Sequence, residues 1–348
     1  MGRTKVTIDG KKFKINGVYT YPGIYWNGIE IEGLLFNTRM VQGTFDDKNP
    51  DTVNKWAYPD TGRWDPERNV REFINAMPLW KEHGVICFTL NLQGGSPEGY
   101  SAGQPWENTA FLYDGALDMN YMHRLERILE RADELGMVVI LGYFYFGQSR
   151  RLRDEEAVRN AIHNASSWVL EKGYENVIIE INNECDINDV PGMHKDVMYG
   201  HENLKKTGVH ESIRQVQGLE LGGRRLLAGT SFRGDAIPTD LVVEVSDFVL
   251  IHGNSVEDPN RIEEMVNILK AKECYKGQPI LFNEDDHFDF DKKDNNMIRA
   301  IANNASWGYF DPGKSNYCDG YQCPPVNWGI NTPLKKAFFN KVKEITGV

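Results

Sequence analysis

Residues 176–185 read Asn-Val-Ile-Ile-Glu-Ile-Asn-Asn-Glu-Cys. An apolar, β-branched run of this kind is a strand buried on both faces, the form strands take in a parallel sheet. Such a strand has no place for an unpaired charge, because burial costs a carboxylate several kcal/mol or pushes its pKa up. Yet Glu180 lies inside the run and Glu184 ends it. A capping acid at the exit of the strand would explain Glu184 on its own. A second strand of the same design, Pro-Ile-Leu-Phe-Asn-Glu at residues 279–284, also ends in Asn-Glu. Two strands that deliver a Glu to one end of a sheet make a carboxylate pair, the apparatus of glycosidic-bond hydrolysis.

The segments around these strands alternate in type. Residues 6–17 alternate apolar and polar side chains about an Asp-Gly turn, a hairpin signature expected to cap one end of the main domain. A first core strand is expected over 33–40, ending near Arg39, followed by a long loop to Trp64. Helices are expected over 66–83, 119–135, 154–173, 201–219, 259–272, 295–304 and 333–345. Strands are expected over 85–91, 137–143, 226–230, 248–252 and 307–310, besides the two that end in Asn-Glu. Eight strands alternating with helices imply a parallel sheet, open or closed. No glycine-rich phosphate loop follows the first strand, so the dinucleotide-binding form loses support. The expected fold is α/β, a single (β/α)8 TIM barrel over residues 1–348, with residues 1–32 as N-terminal β-hairpin and lead-in.

Composition excludes several classes. A net charge of -11, with no basic run interleaved with aromatics, argues against nucleic acid as a partner. No apolar stretch reaches the length of a membrane span, and residues 1–5 lead into strand-like sequence without a signal peptide's apolar region. The expectation is a cytoplasmic chain with no membrane partner. The five cysteines have no zinc-type spacing; Cys87 and Cys185 read as small buried residues. Cys318 and Cys323 flank a glycine-containing loop and would bridge only if oxidised; free thiols are expected.

The run Glu180-Ile181-Asn182-Asn183-Glu184 resembles the fourth-strand motif of the clan A glycoside hydrolases, in particular the cellulase family (family 5), whose usual text is Glu-x-x-Asn-Glu-Pro. Glu184 falls on the fourth strand and Glu284 on the seventh, so the resemblance spans nearly the whole chain. It implies Glu184 as acid/base, Glu284 as nucleophile and Asn183 as the partner of the sugar 2-hydroxyl. His252, ending the sixth strand, resembles the family's histidine there, and Trp307 resembles the aromatic floor of the sugar subsite. Read as residues alone, His252 is equally a core histidine bonded to a carbonyl, and Trp307 is equally barrel packing. Two departures stand out. Cys185 replaces the proline, and the second strand, ending at residues 91–95, lacks the family's arginine. Arg39 is the candidate to do that work, pairing with Glu284 or with buried Glu180.

The tail Glu284-Asp285-Asp286-His287 packs ionisable groups together. It reads as a polar subsite that grips sugar hydroxyls through Asp286 and His287, as a helix cap, or as a divalent-metal site. The metal reading is disfavoured, since a cation beside Glu284 would lower its nucleophilicity. Gln93, Tyr143, Tyr145 and Gln148, near strand ends, are further candidate sugar contacts. The expected activity is retaining hydrolysis of an oligo- or polysaccharide, with a carbohydrate as partner and no cofactor. The rivals are a transglycosylase using the same residues, a barrel that binds carbohydrate without cleaving it, and a metal-dependent isomerase or lyase with ligands converging from several strand ends.

Overall fold

A computed structural model describes residues 2–99 and 103–348. The parallel strands are β1 (Asn37–Arg39), β2 (Cys87–Asn91), β3 (Val138–Phe144), β4 (Val177–Asn182), β5 (Leu227–Gly229), β6 (Val249–His252), β7 (Ile280–Glu284) and β8, in two pieces, Ala305–Ser306 and Gly308–Tyr309. The helices between and after them are α1 (Pro66–Glu82), α2 (Met119–Leu135), α3 (Glu155–Lys172), α4 (Val209–Gln217), α5 (Asp240–Val245), α6 (Pro259–Ala271), α7 (Asn296–Ala302) and α8 (Pro333–Thr346). Strands β1 to β5 pair in sequence order. The second piece of β8 pairs with β1, and the first piece pairs with β7, which pairs with β6. A parallel bridge from Gly234, just past β5, to His252 closes the remaining seam. The result is a (β/α)8 barrel.

Local chemistry sets the helix ends. The carboxylates of Asp65, Asp118 and Asp154 accept backbone N–H bonds at the starts of α1, α2 and α3, and Gly136 and Gly173 end α2 and α3 in the left-handed conformation. The segment expected as one helix over 201–219 is instead a single 3-10 turn, Glu202–Leu204, followed by the nine-residue α4. Gly208 and the Thr207 hydroxyl bound to Glu202 separate the two. The N-terminal hairpin is present as the first two strands of a three-stranded antiparallel sheet, Val6–Asp9, Lys12–Ile15 and Val18–Tyr19.

Strand periodicity sorts side chains into two compartments. Ile178, Ile140, Cys87, Leu250 and Leu281 form a small apolar layer inside the barrel, closed at its N-terminal end by Val6 and Phe13 of the antiparallel sheet. Val177, Ile179 and Ile181 face the other way and join the large core between sheet and helices. Further along the same strands, the same parity places Asn37, Asn91, Glu180 and Asn283, all buried. The barrel interior is therefore apolar below and polar above, directly under the C-terminal mouth. Gly308 permits closure there: a Cβ on it would lie 2.2 Å from Asn37 Oδ1 and 2.8 Å from the Phe282 carbonyl. Overfilling a packed interior costs about 1–3 kcal/mol. Gly308→Ala is expected to lower the unfolding free energy by about that amount, read from the urea midpoint at unchanged m-value; a midpoint equal to wild type would contradict this account of closure.

Candidate active site

Glu180 belongs to the polar layer and Arg39 is its counter-charge. Arg39 projects from the end of β1, fully buried, and its guanidinium serves three partners. Nε lies 2.5 Å from Glu284 Oε2, one terminal nitrogen lies 3.5 Å from Glu180 Oε2, and the other donates to Asn183 Oδ1 at 2.7 Å. The rigid, permanently charged fork suits arginine and not lysine. Both pairings expected for Arg39 are therefore present. Glu180 is steadied further by Asn283, which donates to its Oε1 at 3.2 Å.

Backbone irregularities aim both glutamates at the mouth. Between β6 and β7 the register shifts, so that Ile251 faces Phe282 but His252 faces Glu284. This bulge takes up Asn283 as an extra residue and re-aims Glu284, which simple alternation would turn outward. Glu184 has φ 51°, a left-handed conformation that costs a non-glycine residue on the order of 1–3 kcal/mol. Its neighbours hold it there: Ser231 Oγ accepts from the Glu184 amide at 3.1 Å, the Ser231 carbonyl accepts from the Cys185 amide at 3.0 Å, and Tyr199 donates to the Asn183 carbonyl at 2.5 Å. Proline at position 185 would have no N–H for Ser231, so cysteine fits this backbone where the family's proline would not.

A carboxylate oxygen of Glu184, one of Glu284 and a ring nitrogen of His252 all lie within 4.8 Å of one another. His252 Nδ1 sits between the acids, 3.2 Å from Glu184 Oε1 and 3.8 Å from Glu284 Oε2. Burial pulls the imidazole pKa down, but Glu284 and Glu184 outweigh burial and the net shift is upward. Burial pushes the Glu284 carboxyl up; Arg39 and His252 pull it down, Glu184 pushes it up, and Asn254, donating to Oε1 at 2.7 Å, pulls it down. The balance leaves it above the ordinary carboxylate range. Glu184, His252 and Glu284 have the spacing of a metal-ligand set, but Arg39 already faces Glu284 Oε2, so a bound cation would sit against a cation.

These groups open into a cavity of about 230 Å³ at the barrel mouth, lined by Arg39, Asn183, Glu184 and Glu284 together with Ser96, Tyr145, Phe146, Ile187, Met193, Val197, Phe310 and Gln322. A larger depression of about 460 Å³ around Lys5, Glu175, Arg225 and Asp247 lies at the opposite end of the barrel, away from the strand C-termini where barrel chemistry sits.

Other expected contacts lie elsewhere. Tyr143 shares the outward parity of Val139 and Leu141, and its hydroxyl bonds Ser166 of α3 at 2.9 Å. Gln93 is spent on Thr109 Oγ1 and the Tyr145 amide, and Gln148 on the Trp106 carbonyl and the Asn108 amide. Trp307 is wholly buried against Phe290 and Phe338 rather than flooring the cavity, and its indole N–H donates to Asp285 Oδ2 at 2.9 Å. Asp285 points away from the mouth and also accepts from the His287 amide. It lies 2.8 Å from His287 Nδ1 and holds that imidazole up at about 9. The cluster is thus an internal ion pair, and neither Asp286 nor His287 lines the cavity. The five thiols are free. Missed by sequence reasoning are Asn254, two residues past His252, and the loop residues Ser96, Met193, Val197 and Gln322, which no motif announces.

The barrel is the fold that the resemblance implied. The sequence matches no protein-family model and no curated protein. Solved structures do match. A GH5-4 broad-specificity endoglucanase from Clostridium acetobutylicum superposes with TM-score 0.53 at 11% identity, over 89% of this chain and 96% of that one. A β-glucosidase from Thermotoga maritima gives TM-score 0.56 at 11% identity, over 91% and 99%. An endo-1,4-β-mannanase from Rhizomucor miehei gives 0.50 at 10%, over 87% and 89%. At these identities the likeness is one of fold. Among the described residues no helix is long and apolar enough to cross a membrane.

Removal of the guanidinium would leave Glu180 and Glu284 buried without their cation, a change that costs about 3–5 kcal/mol. A carboxyl whose folded pKa is raised destabilises the fold as pH climbs through that pKa. The deficit of Arg39→Gln is therefore expected to be about 3–5 kcal/mol at neutral pH and to shrink as pH falls and Glu284 protonates. Denaturant titrations at several pH values read this; a deficit independent of pH would contradict it.

Proposed function

We propose that the protein is a retaining glycoside hydrolase in which Glu284 is the nucleophile and Glu184 the acid/base. The observation that carries this reading is that one oxygen of the Glu184 carboxyl, just past β4, and one of the Glu284 carboxyl, at the end of β7, lie within 4.8 Å of each other across the mouth, which favours the closer of two spacings. Retaining enzymes place their carboxyls about 5–5.5 Å apart, whereas inverting ones need about 6.5–9.5 Å to seat a water behind the sugar. Glu284 attacks the anomeric carbon as Glu184 protonates the glycosidic oxygen, and the leaving alcohol departs. Glu184 then takes a proton from a water that attacks the same carbon, and the sugar–Glu284 ester breaks.

The surroundings support this division of work. Arg39 and Asn254 each engage one oxygen of Glu284, which opposes the upward push of burial on its carboxyl and fixes its direction. His252 touches Glu184 and tracks the charge that alternates between the two acids. Asn183, oriented by Arg39, lines the cavity beside Glu184, in place to bond a sugar hydroxyl. A barrel that only bound sugar would have no use for two carboxylates held this close against their repulsion. A transglycosylase would use the same groups and differ in its acceptor.

Variants separate the roles. Glu284→Ala should abolish turnover of activated and natural glycosides, with turnover of the activated ones partly restored by added azide. Glu184→Ala should spare aryl glycosides with acidic leaving groups and lose about 10²–10⁴-fold on alkyl or sugar leaving groups, which need the proton. Equal losses on both substrate types in Glu184→Ala, with Glu284→Ala active, would overturn the assignment.

A further inference from the structure

The cavity is divided in its chemistry, and the division follows the strands. Its polar residues besides Asn183, Glu184, Glu284 and Tyr145 come from one side, where Arg39 ends β1, Ser96 follows β2 and Gln322 follows β8, beside the apolar Phe310. The side built on the connections after β3 and β4 is apolar, made of Phe146, Ile187, Met193 and Val197. Among the described residues, the polar atoms this side brings to the cavity are those of Asn183 and Glu184 and the Tyr145 hydroxyl, which is bonded to Ser96. Ile187, Met193 and Val197 belong to the same connection that carries Glu184. Phe146 packs edge-on against Tyr199, the residue that fixes the Asn183 backbone.

A general acid must stand beside the oxygen it protonates. If Glu184 is that acid, the group leaving with the oxygen occupies the Glu184 side of the cavity, against Ile, Met, Val and Phe side chains. A sugar in that place would give up water at its hydroxyls and gain few hydrogen bonds in return, and each buried polar group left unpaired is a loss. An apolar aglycone gains on the same surface. The cavity itself is about 230 Å³, below the roughly 300–1,000 Å³ of sites that enclose drug-sized ligands; a separate, more open depression of about 780 Å³ is lined by neighbours on the same connections, Gly147, Arg150, His194 and Asp196.

We infer that the substrate is a small glycoside, one sugar unit joined to an apolar alkyl or aryl aglycone, and that the segment from Ile187 to Val197 selects the aglycone. The inference rests on the assignment of Glu184 as acid/base and goes beyond it, by naming what leaves. It also replaces the oligo- or polysaccharide expected from the sequence with a short, half-apolar molecule.

Within the alkyl series leaving-group acidity is nearly constant, so dependence on chain length reports contacts; a sugar is the more acidic leaving group, so a hexyl glycoside that outruns the disaccharide does so against that chemical advantage. Ethyl, butyl and hexyl glycosides of glucose, galactose, mannose and xylose, in both anomers, are compared with disaccharides of the same sugars. With the glycone that is turned over, kcat/KM should rise from ethyl to hexyl and exceed that of the disaccharide by at least about tenfold, a modest gain for several methylenes in an apolar pocket. Met193→Gln, at a half-buried position, should flatten the rise with chain length and leave the ethyl glycoside least affected. A disaccharide ahead of the hexyl glycoside, or no dependence on chain length, would overturn the inference while Glu184-dependent hydrolysis still upheld the broader reading. No turnover of either class would overturn both.

Discussion

One guanidinium organises the mouth of this barrel. Arg39 reaches Glu284 and Glu180 with its charge and Asn183 with a hydrogen bond, and so ties β1 to β4 and β7 across the interior. Without it the polar layer would hold two buried carboxylates against each other, and the third at Glu184 would add to the repulsion. With it, the layer can be polar at all, and the acids can be held closer than their charges would allow. The bulge before Glu284 and the left-handed Glu184 are aimed at the space this cation makes tolerable.

Strand parity explains what the sequence made legible. The apolar strand runs, the aspartate caps and the terminal glycines are local signals, so most helices, α1 to α3 and α6 to α8 among them, end close to where those signals place them. Glu180 stood out because it shares the inward parity of Ile178 in a strand that has no other charge. Tyr143 and Tyr145 looked equivalent in the sequence, yet only Tyr145 lines the cavity; Tyr143 has the parity of Leu141 and faces α3. Trp307 sits where β8 breaks into two pieces, and that break, which depends on pairing with two different strands, turns the indole to Asp285.

Illegible were features that depend on long connections. Ser96, Met193, Val197 and Gln322 come from loops with no periodicity, and their meeting is a property of the closed barrel alone. The six-residue α5 was too short to carry an amphipathic pattern, and the expected helix over 201–219 ran through a turn at Gly208. Asn254 escaped notice although it lies next to a required glycine: a Cβ at Gly253 would come within 2.1 Å of Asp285 Oδ2. That close approach sets the path of the chain past His252 and brings the Asn254 amide onto Glu284.

The central claim is that the two carboxylates stand close enough for one to attack the sugar itself. Proton NMR of the anomeric signal during the first minutes of hydrolysis, before mutarotation, tests it directly. The account predicts that the first sugar formed keeps the anomeric configuration of the glycoside. First appearance of the opposite anomer would mean that water attacks from behind the sugar, and the close pair would then need another explanation.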